Sequence, residues 1–223
     1  MFKQTVQKLL TGEIICETAF TDQFEYLSAP ENRERVEDFL SNLDRNLTYL
    51  DSADAYYATF QQVDQDNSNE LTQLFLEVRS SFRPLVEFLE LLLTATQTDL
   101  PLRAKSMVNI NALFDPFEHD QTLREQLRRL TSIKPFKTNK LESREQLVFV
   151  FQKLEEMGYL VRKNNGSSRY YASARFDLIY LLIEFLNDSE RVELPEKIVQ
   201  SQEVLLFYWQ LIMLPMLLIY CVK

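Results

Sequence analysis

The chain has 223 residues, 46% of them hydrophobic, with 24 Lys plus Arg against 33 Asp plus Glu for a formal net charge of −9. That length can bury one large core or two small ones, and the acidic balance excludes a surface drawn everywhere to polyphosphate. The charge is unevenly spread. Residues 1–120 carry 9 basic and 21 acidic side chains, residues 121–175 carry 12 and 5, and the remainder 3 and 7, so one basic island sits in an acidic protein.

In chain order, residues 5–10 predict a short helix closed near Gly12, after which Ile14 and Ile15 lead into a mixed segment with Phe20, Phe24, Tyr26 and Leu27. Beyond Pro30, Val36, Phe39, Leu40, Leu43 and Leu47 recur at helical spacing and predict a helix packing that face inward. Asp51-Ser52-Ala53-Asp54 is turn chemistry, because short polar side chains bond their own backbone, and Ala55–Phe60 is rich in strand formers. The polar stretch Val63–Asn69 reads as a link. Helical faces return at Leu71, Leu74, Phe75 and Val78. Pro84, suited to a first turn, then predicts a further helix with Leu85, Phe88, Leu89, Leu92 and Leu93.

From Thr96 to Asp120 the pattern weakens around Pro101 and Pro116 and predicts only short helices and loops. Ser143 is placed to cap a helix bearing Leu147, Val150, Phe151, Leu154 and Met157, and Gly158 to end it in the left-handed conformation. Tyr159–Arg162 and Arg169–Ala172 predict two strands around Lys163-Asn164-Asn165-Gly166-Ser167-Ser168, whose Asn-Gly is a hairpin signal. Phe176–Leu186 predicts a closing helix.

One passage is written twice. Helix, turn and aromatic strand run from Val36 to Thr59, ending Tyr56-Tyr57-Ala58-Thr59, and again from Leu147 to Ser173, ending Tyr170-Tyr171-Ala172-Ser173. A helix feeding a two-stranded hairpin is the second half of a winged-helix module. The expected fold is therefore mainly α with small β-hairpins, an α+β chain of tandem winged-helix domains. Residues 1–66 would form the first module, 67–188 the second, and 189–223 a C-terminal apolar segment.

Winged helices bind DNA by setting a helix in the major groove and the wing's cations against phosphates. The DNA-facing candidates are Arg124, Arg128, Arg129, Lys140, Arg144, Arg162, Lys163 and Arg169, with Lys134 and Lys137 between them. The same cations read equally as a solvated surface or a dock for an acidic partner, and Glu155-Glu156 at the exposed end of the presumed recognition helix opposes phosphate. Asp64, Asp66 and Ser68 resemble the opening of a calcium loop. Asn69 stands where glycine is needed and Phe75 where a bidentate glutamate is needed, so no calcium site is expected.

His119 is the only histidine and reads as an exposed loop residue, which excludes a His-based metal cluster. Gly12, Gly158 and Gly166 form no phosphate-cradling loop, and no catalytic residue, metal or cofactor is expected. Cys16 and Cys221 lack metal or redox spacing, and Met1-Phe2-Lys3-Gln4 lacks the apolar core of a secretion signal, so a cytoplasmic location is expected. Val204–Val222 runs nineteen residues with Gln210 as its one strongly polar member. At ~1.5 Å per residue it comes close to spanning a ~30 Å hydrocarbon core. Pro215 and the single flanking Lys223 favour burial against protein instead.

The segment "LLTGEII", followed by Phe24 and by Val36, Phe39, Leu40, Leu43 and Leu47 before "AYYA", and the later "FQKLEEMGYLV", "SSRYY" and "SARF" have a counterpart. Together they resemble the two modules of the MukE and MksE family, the winged-helix (KITE) accessory subunits of bacterial condensin-like SMC complexes. Gly158 after the helix and Arg175-Phe176 after the wing are part of the likeness. The resemblance implies a non-enzymatic, usually dimeric, nucleoid-associated subunit that grips a MukF- or MksF-like kleisin. Through it the MukB- or MksB-like SMC ATPase is regulated in chromosome condensation and segregation or in plasmid defence. Some members of the family contact DNA through basic residues near the second recognition helix, which implies a non-specific DNA contact here through Lys140 and Arg144. The rival readings are a free-standing winged-helix transcription regulator with an operator preference and a membrane-anchored adaptor hung from Val204–Val222.

Overall fold

A helix stops cleanly where glycine takes a left-handed backbone, and Gly12 does so at the first opportunity. In the computed structural model, which describes residues 1–62, 68–164 and 166–189, α1 (Phe2–Leu10) ends with Gly12 at φ +76. The Gly12 N–H donates to the Leu9 carbonyl at 3.1 Å and the Glu13 N–H to that of Lys8 at 3.0 Å, which satisfies the helix's last acceptors. There follow β1 (Ile15–Cys16), α2 (Thr21–Ser28) and α3 (Pro30–Ser41), with Pro30 in the first turn of α3.

The helix predicted to run to Leu47 ends at Ser41. Asp44 takes φ +55, a conformation its short polar side chain tolerates, and residues 45–50 form a strand, β2 (Arg45–Leu50). Pairing of β2 with β3 (Ala55–Phe60) from Arg45↔Phe60 to Leu50↔Ala55 uses main-chain groups that a longer helix would have bonded internally. Leu47 therefore faces Ala58 across the sheet. Val36 and Leu40 are buried as expected, but Phe39 and Leu43 are 41% and 45% exposed and not packed inward. The first sheet has the order β1-β3-β2 over a core of Val6, Leu9, Ile15, Leu27, Val36, Leu40 and Tyr56.

The two helices expected on either side of Pro84 are one helix, α4 (Ser68–Thr96), with the proline inside it. An internal proline costs about 3 kcal/mol. Leu85, Phe88, Leu89, Leu91 and Leu92 are all buried along the same helix. At roughly 1.5–3 kcal/mol each their burial outweighs that cost. The stretch expected to hold only short helices and loops contains β4 (Met107–Asn109) and α5 (Ile110–His119), with Pro116 inside the helix. Then come α6 (Gln121–Leu130), α7 (Ser143–Glu156), β5 (Leu160–Val161), β6 (Arg169–Ala172) and α8 (Arg175–Ser189).

Ser143 is the first residue of α7 and not its cap; Glu142 holds that position and no side chain bonds the free N–H groups there. Gly158, at φ +74, ends α7 as predicted. Its N–H donates to Glu155 at 3.0 Å and that of Tyr159 to Leu154 at 2.8 Å. Phe88, Phe117, Phe136, Phe151 and Phe176 are buried in this half, with Phe88–Phe151 and Phe151–Tyr170 ring centroids 5.8 and 5.0 Å apart.

The second sheet repeats the first in order, β4-β6-β5, and in register. Tyr56 lies opposite Ile15 as Tyr170 lies opposite Val108. Tyr57 faces Thr48 as Tyr171 faces Val161, and Ala58 faces Leu47 as Ala172 faces Leu160. The architecture is mixed α and β, helices with small antiparallel three-stranded sheets. Met1–Asp177 make one compact unit and Leu178–Lys223 a second, of which the rest of α8 is described. The expected boundary at residue 66, the acidic residues Asp64 and Asp66, the hairpin's Asn165 and the apolar run Val204–Val222 lie outside the described residues. Among the described residues no helix is long and apolar enough to cross a membrane.

Candidate nucleic-acid interface

The basic island is organised along α5. At its start, Asn109 pairs with Arg169 in the β4–β6 ladder and the Ile110 N–H donates to the Ser168 carbonyl at 2.9 Å. Midway, Arg144 from α7 lays its guanidinium over the Phe114 ring, 4.2 Å from the centroid. At its end, Arg124 of α6 donates to the Glu118 carbonyl. Three cations from three elements are thus strung along a ten-residue helix, a span of ~15 Å at 1.5 Å per residue. That is about four base-pair steps of duplex at 3.4 Å each.

The other candidates flank this line. On α6, Leu123, Leu127 and Leu130 are buried, which turns Arg128 and Arg129 outward in the last turn. The negative end of the helix dipole favours cations there. The following loop is pinned by the buried Phe136 and by Thr138, whose N–H donates to the Thr131 carbonyl at 3.1 Å, leaving Lys134 and Lys137 exposed. Buried Gln146 donates through Nε2 to the Lys140 carbonyl at 2.7 Å, so the lysine is held beside the first turn of α7.

The hairpin of β5 and β6 behaves differently. Arg162 grips Glu155 with Nη2 at 2.7 Å and Nε at 2.9 Å, a two-pronged charge-assisted contact. Lys163 lies 5.0 Å from the Tyr171 ring centroid. Lys153 bonds Glu156. Glu155 and Glu156, expected to repel phosphate, are each neutralised by a neighbouring cation. Arg162 is correspondingly the one of the eight predicted cations with a carboxylate partner among the described residues. Burial pushes the Tyr170 phenol up, with Arg162 opposing.

Acid is also present along the line. Asp115 and Glu118 are exposed on α5 itself. His119 is exposed as predicted but ends a helix rather than lying in a loop, with Nδ1 3.2 Å from Asp115 Oδ1. Asp120 caps α6, its Oδ1 accepting from the N–H groups of Thr122 at 2.7 Å and Leu123 at 3.2 Å. Sequence reasoning missed that cap, Phe114 and Gln146. The cap had a signal, an aspartate just before Leu123, Leu127 and Leu130 at helical spacing. The contacts of Phe114 and Gln146 join elements distant in sequence and had none.

In the first half the helix equivalent to α7, α3, presents Glu31, Glu34, Glu37 and Asp38 outward, and its Arg35 lies over the Phe2 ring at 4.8 Å. Among the described residues no group of three or more His, Cys, Asp or Glu side chains is placed to hold a metal. No protein-family model matches the chain, and no curated protein matches it.

Proposed function

We propose that the two halves are tandem winged-helix modules and that the chain is a non-enzymatic, dimeric accessory subunit of a bacterial condensin-like SMC complex, working in the cytoplasm at the nucleoid. The observation that carries this reading is the repeat: helix, strand, helix, helix, strand, strand in each half, the second with α6 added, in one shared register. Charge then divides the labour. The acidic α3, with Phe39 and Leu43 exposed near its end, suits a protein partner, the kleisin. The line of cations along α5 suits the phosphate backbone.

Co-expression with the neighbouring kleisin and SMC genes tests the assignment: the three proteins should co-purify, and recovery of this chain alone counts against it. A free-standing transcription regulator is the second reading, favoured by the same cations. Binding to genomic fragments across a salt series separates the two. A steep salt slope without sequence preference supports the SMC subunit, and a preferred operator supports the regulator.

A further inference from the structure

Within residues 1–177 the two sheet-bearing halves meet across charged side chains. Arg175 Nη2 lies 2.8 Å from Glu13 Oε2, and Lys105 Nζ lies 3.0 Å from both Glu17 Oε2 and Asp54 Oδ2. Tyr49 completes the cluster, its hydroxyl donating to Asp54 Oδ1 at 2.6 Å. Each cation comes from the second half and each acid from the first. The side chains of Lys105, Glu17 and Asp54 remain 47%, 55% and 42% exposed. One apolar cluster is built wholly from residues 2–58, the rings of Phe88, Phe151 and Phe176 pack within the second half, and Leu50, Ala53 and Ala55 are buried beside Asp54.

Both cations are tied to the first turn of α8. Asp177, fully buried, accepts from the Ala104 N–H at 2.8 Å and from Arg103 Nη1 at 3.2 Å, which fixes the loop that presents Lys105. Lys105 donates its own N–H to the Ala172 carbonyl at 2.9 Å. Arg175 lies over Gly158, where a Cβ would come within 3.1 Å of its Nε. The acids sit at comparably fixed points: Glu13 in the turn closing α1, Glu17 just past β1, and Asp54 in the hairpin turn at φ +50.

We propose that this seam is an electrostatic latch, closed at low ionic strength and opened by salt, about which the two halves swing apart while each keeps its own fold. Exposed ion pairs of this kind bias a closed-to-open ratio only about two- to fivefold each. Their field is screened beyond about 8 Å at physiological ionic strength. The closed arrangement is therefore poised, and a partner gripping both halves can select either state at small cost. The latch needs neither a kleisin nor DNA, so its test is independent of the assigned role.

The test uses the full chain with Cys221→Ser, spin labels at Asn42→Cys and Ala112→Cys, and pulsed dipolar distance measurements at about 50 mM and about 500 mM KCl. Cys16 is buried and stays unlabelled. Low salt should give one short distance and high salt a second, longer one, with far-UV circular dichroism unchanged. Lys105→Glu should populate the longer distance at low salt, and adding Glu17→Lys should recover the shorter. An identical distribution at both salt concentrations overturns the latch, whether or not Lys105→Glu folds. So does a longer distance that appears only with loss of helical signal.

Discussion

Gly158→Ala and Gly12→Ala form a matched pair, because both glycines close a helix with nearly the same backbone, φ +74 and φ +76. Forcing an L side chain into that region costs ~1–2 kcal/mol. Reduced freedom of the unfolded chain returns ~0.4–1 kcal/mol. Gly12→Ala should therefore destabilise by about 1 kcal/mol, since nothing lies within 4 Å of the added carbon. At Gly158 the new carbon meets Arg175 Nε at 3.1 Å and Cδ at 3.5 Å, so the arginine must move and its partly exposed bridge to Glu13 loosens. That adds up to ~1 kcal/mol. The midpoint of thermal unfolding should fall about 2–4 °C for Gly12→Ala and up to twice that for Gly158→Ala in a unit of this size. Urea denaturation followed by circular dichroism gives the corresponding free energies. In an Arg175→Ala background the two substitutions should become equivalent. Equal losses in the wild type, or a gap that survives Arg175→Ala, would refute the role given to Arg175.

Further outcomes follow from the other side chains. On random-sequence duplex, Arg144→Ala or Lys140→Ala should lower the slope of log affinity against log salt by about 0.9 for each phosphate no longer neutralised. Arg162→Ala should leave it unchanged, because that guanidinium is already committed to Glu155; fluorescence anisotropy distinguishes these results. Asp177→Ala should destabilise by roughly 1–3 kcal/mol, since removing a fully buried carboxylate leaves the Ala104 N–H and the half-exposed Arg103 without that acceptor; equilibrium unfolding measures it. The Tyr49 phenol is pushed up from 10 to about 12, first by its hydrogen bond to Asp54 and then by burial. Its contribution to stability is whole below pH 10 and is lost as pH rises through about 12. An absorbance titration of wild type minus Tyr49→Phe should show one tyrosinate forming near pH 12. Asp54 is held below its ordinary range first by that hydrogen bond and then by Lys105. Its contribution is present above the ordinary carboxylate range and lost as pH falls through the lowered value, and Tyr49→Phe should move that loss to higher pH, read by NMR titration.

What could be read from the chain was whatever is encoded locally. Gly12 and Gly158 announced helix ends, and the doubled Tyr-Tyr-Ala marked the third strand of each sheet. Pairing across distance was not legible. Leu43 and Leu47 continue the spacing of Val36 and Leu40, and only the turn at Asp44 and the partner strand β3 convert Leu47 into a strand residue. Met107-Val108-Asn109 is too short to show alternation and is a strand because Tyr170 and Tyr171 lie beside it. Pro84 signals a helix start in isolation, yet the apolar side chains of α4 keep it inside one helix. Of the candidate interface, residue types were legible, but their alignment along α5 was not, nor was the neutralisation of Glu155 and Glu156.

The shared register has a consequence for how such a protein can diverge. Side chains alternate faces along a strand, so inserting one residue within either Tyr-Tyr-Ala would turn the buried tyrosine to solvent. Within the hairpins a difference in length is tolerated at the tips: four residues, 51–54, separate the strands of the first hairpin, and seven, 162–168, those of the second. The short tip carries Asp51 and Asp54 and the long one Arg162 and Lys163. One strand pairing can thus carry opposite charge at its two hairpin tips through a handful of tip residues.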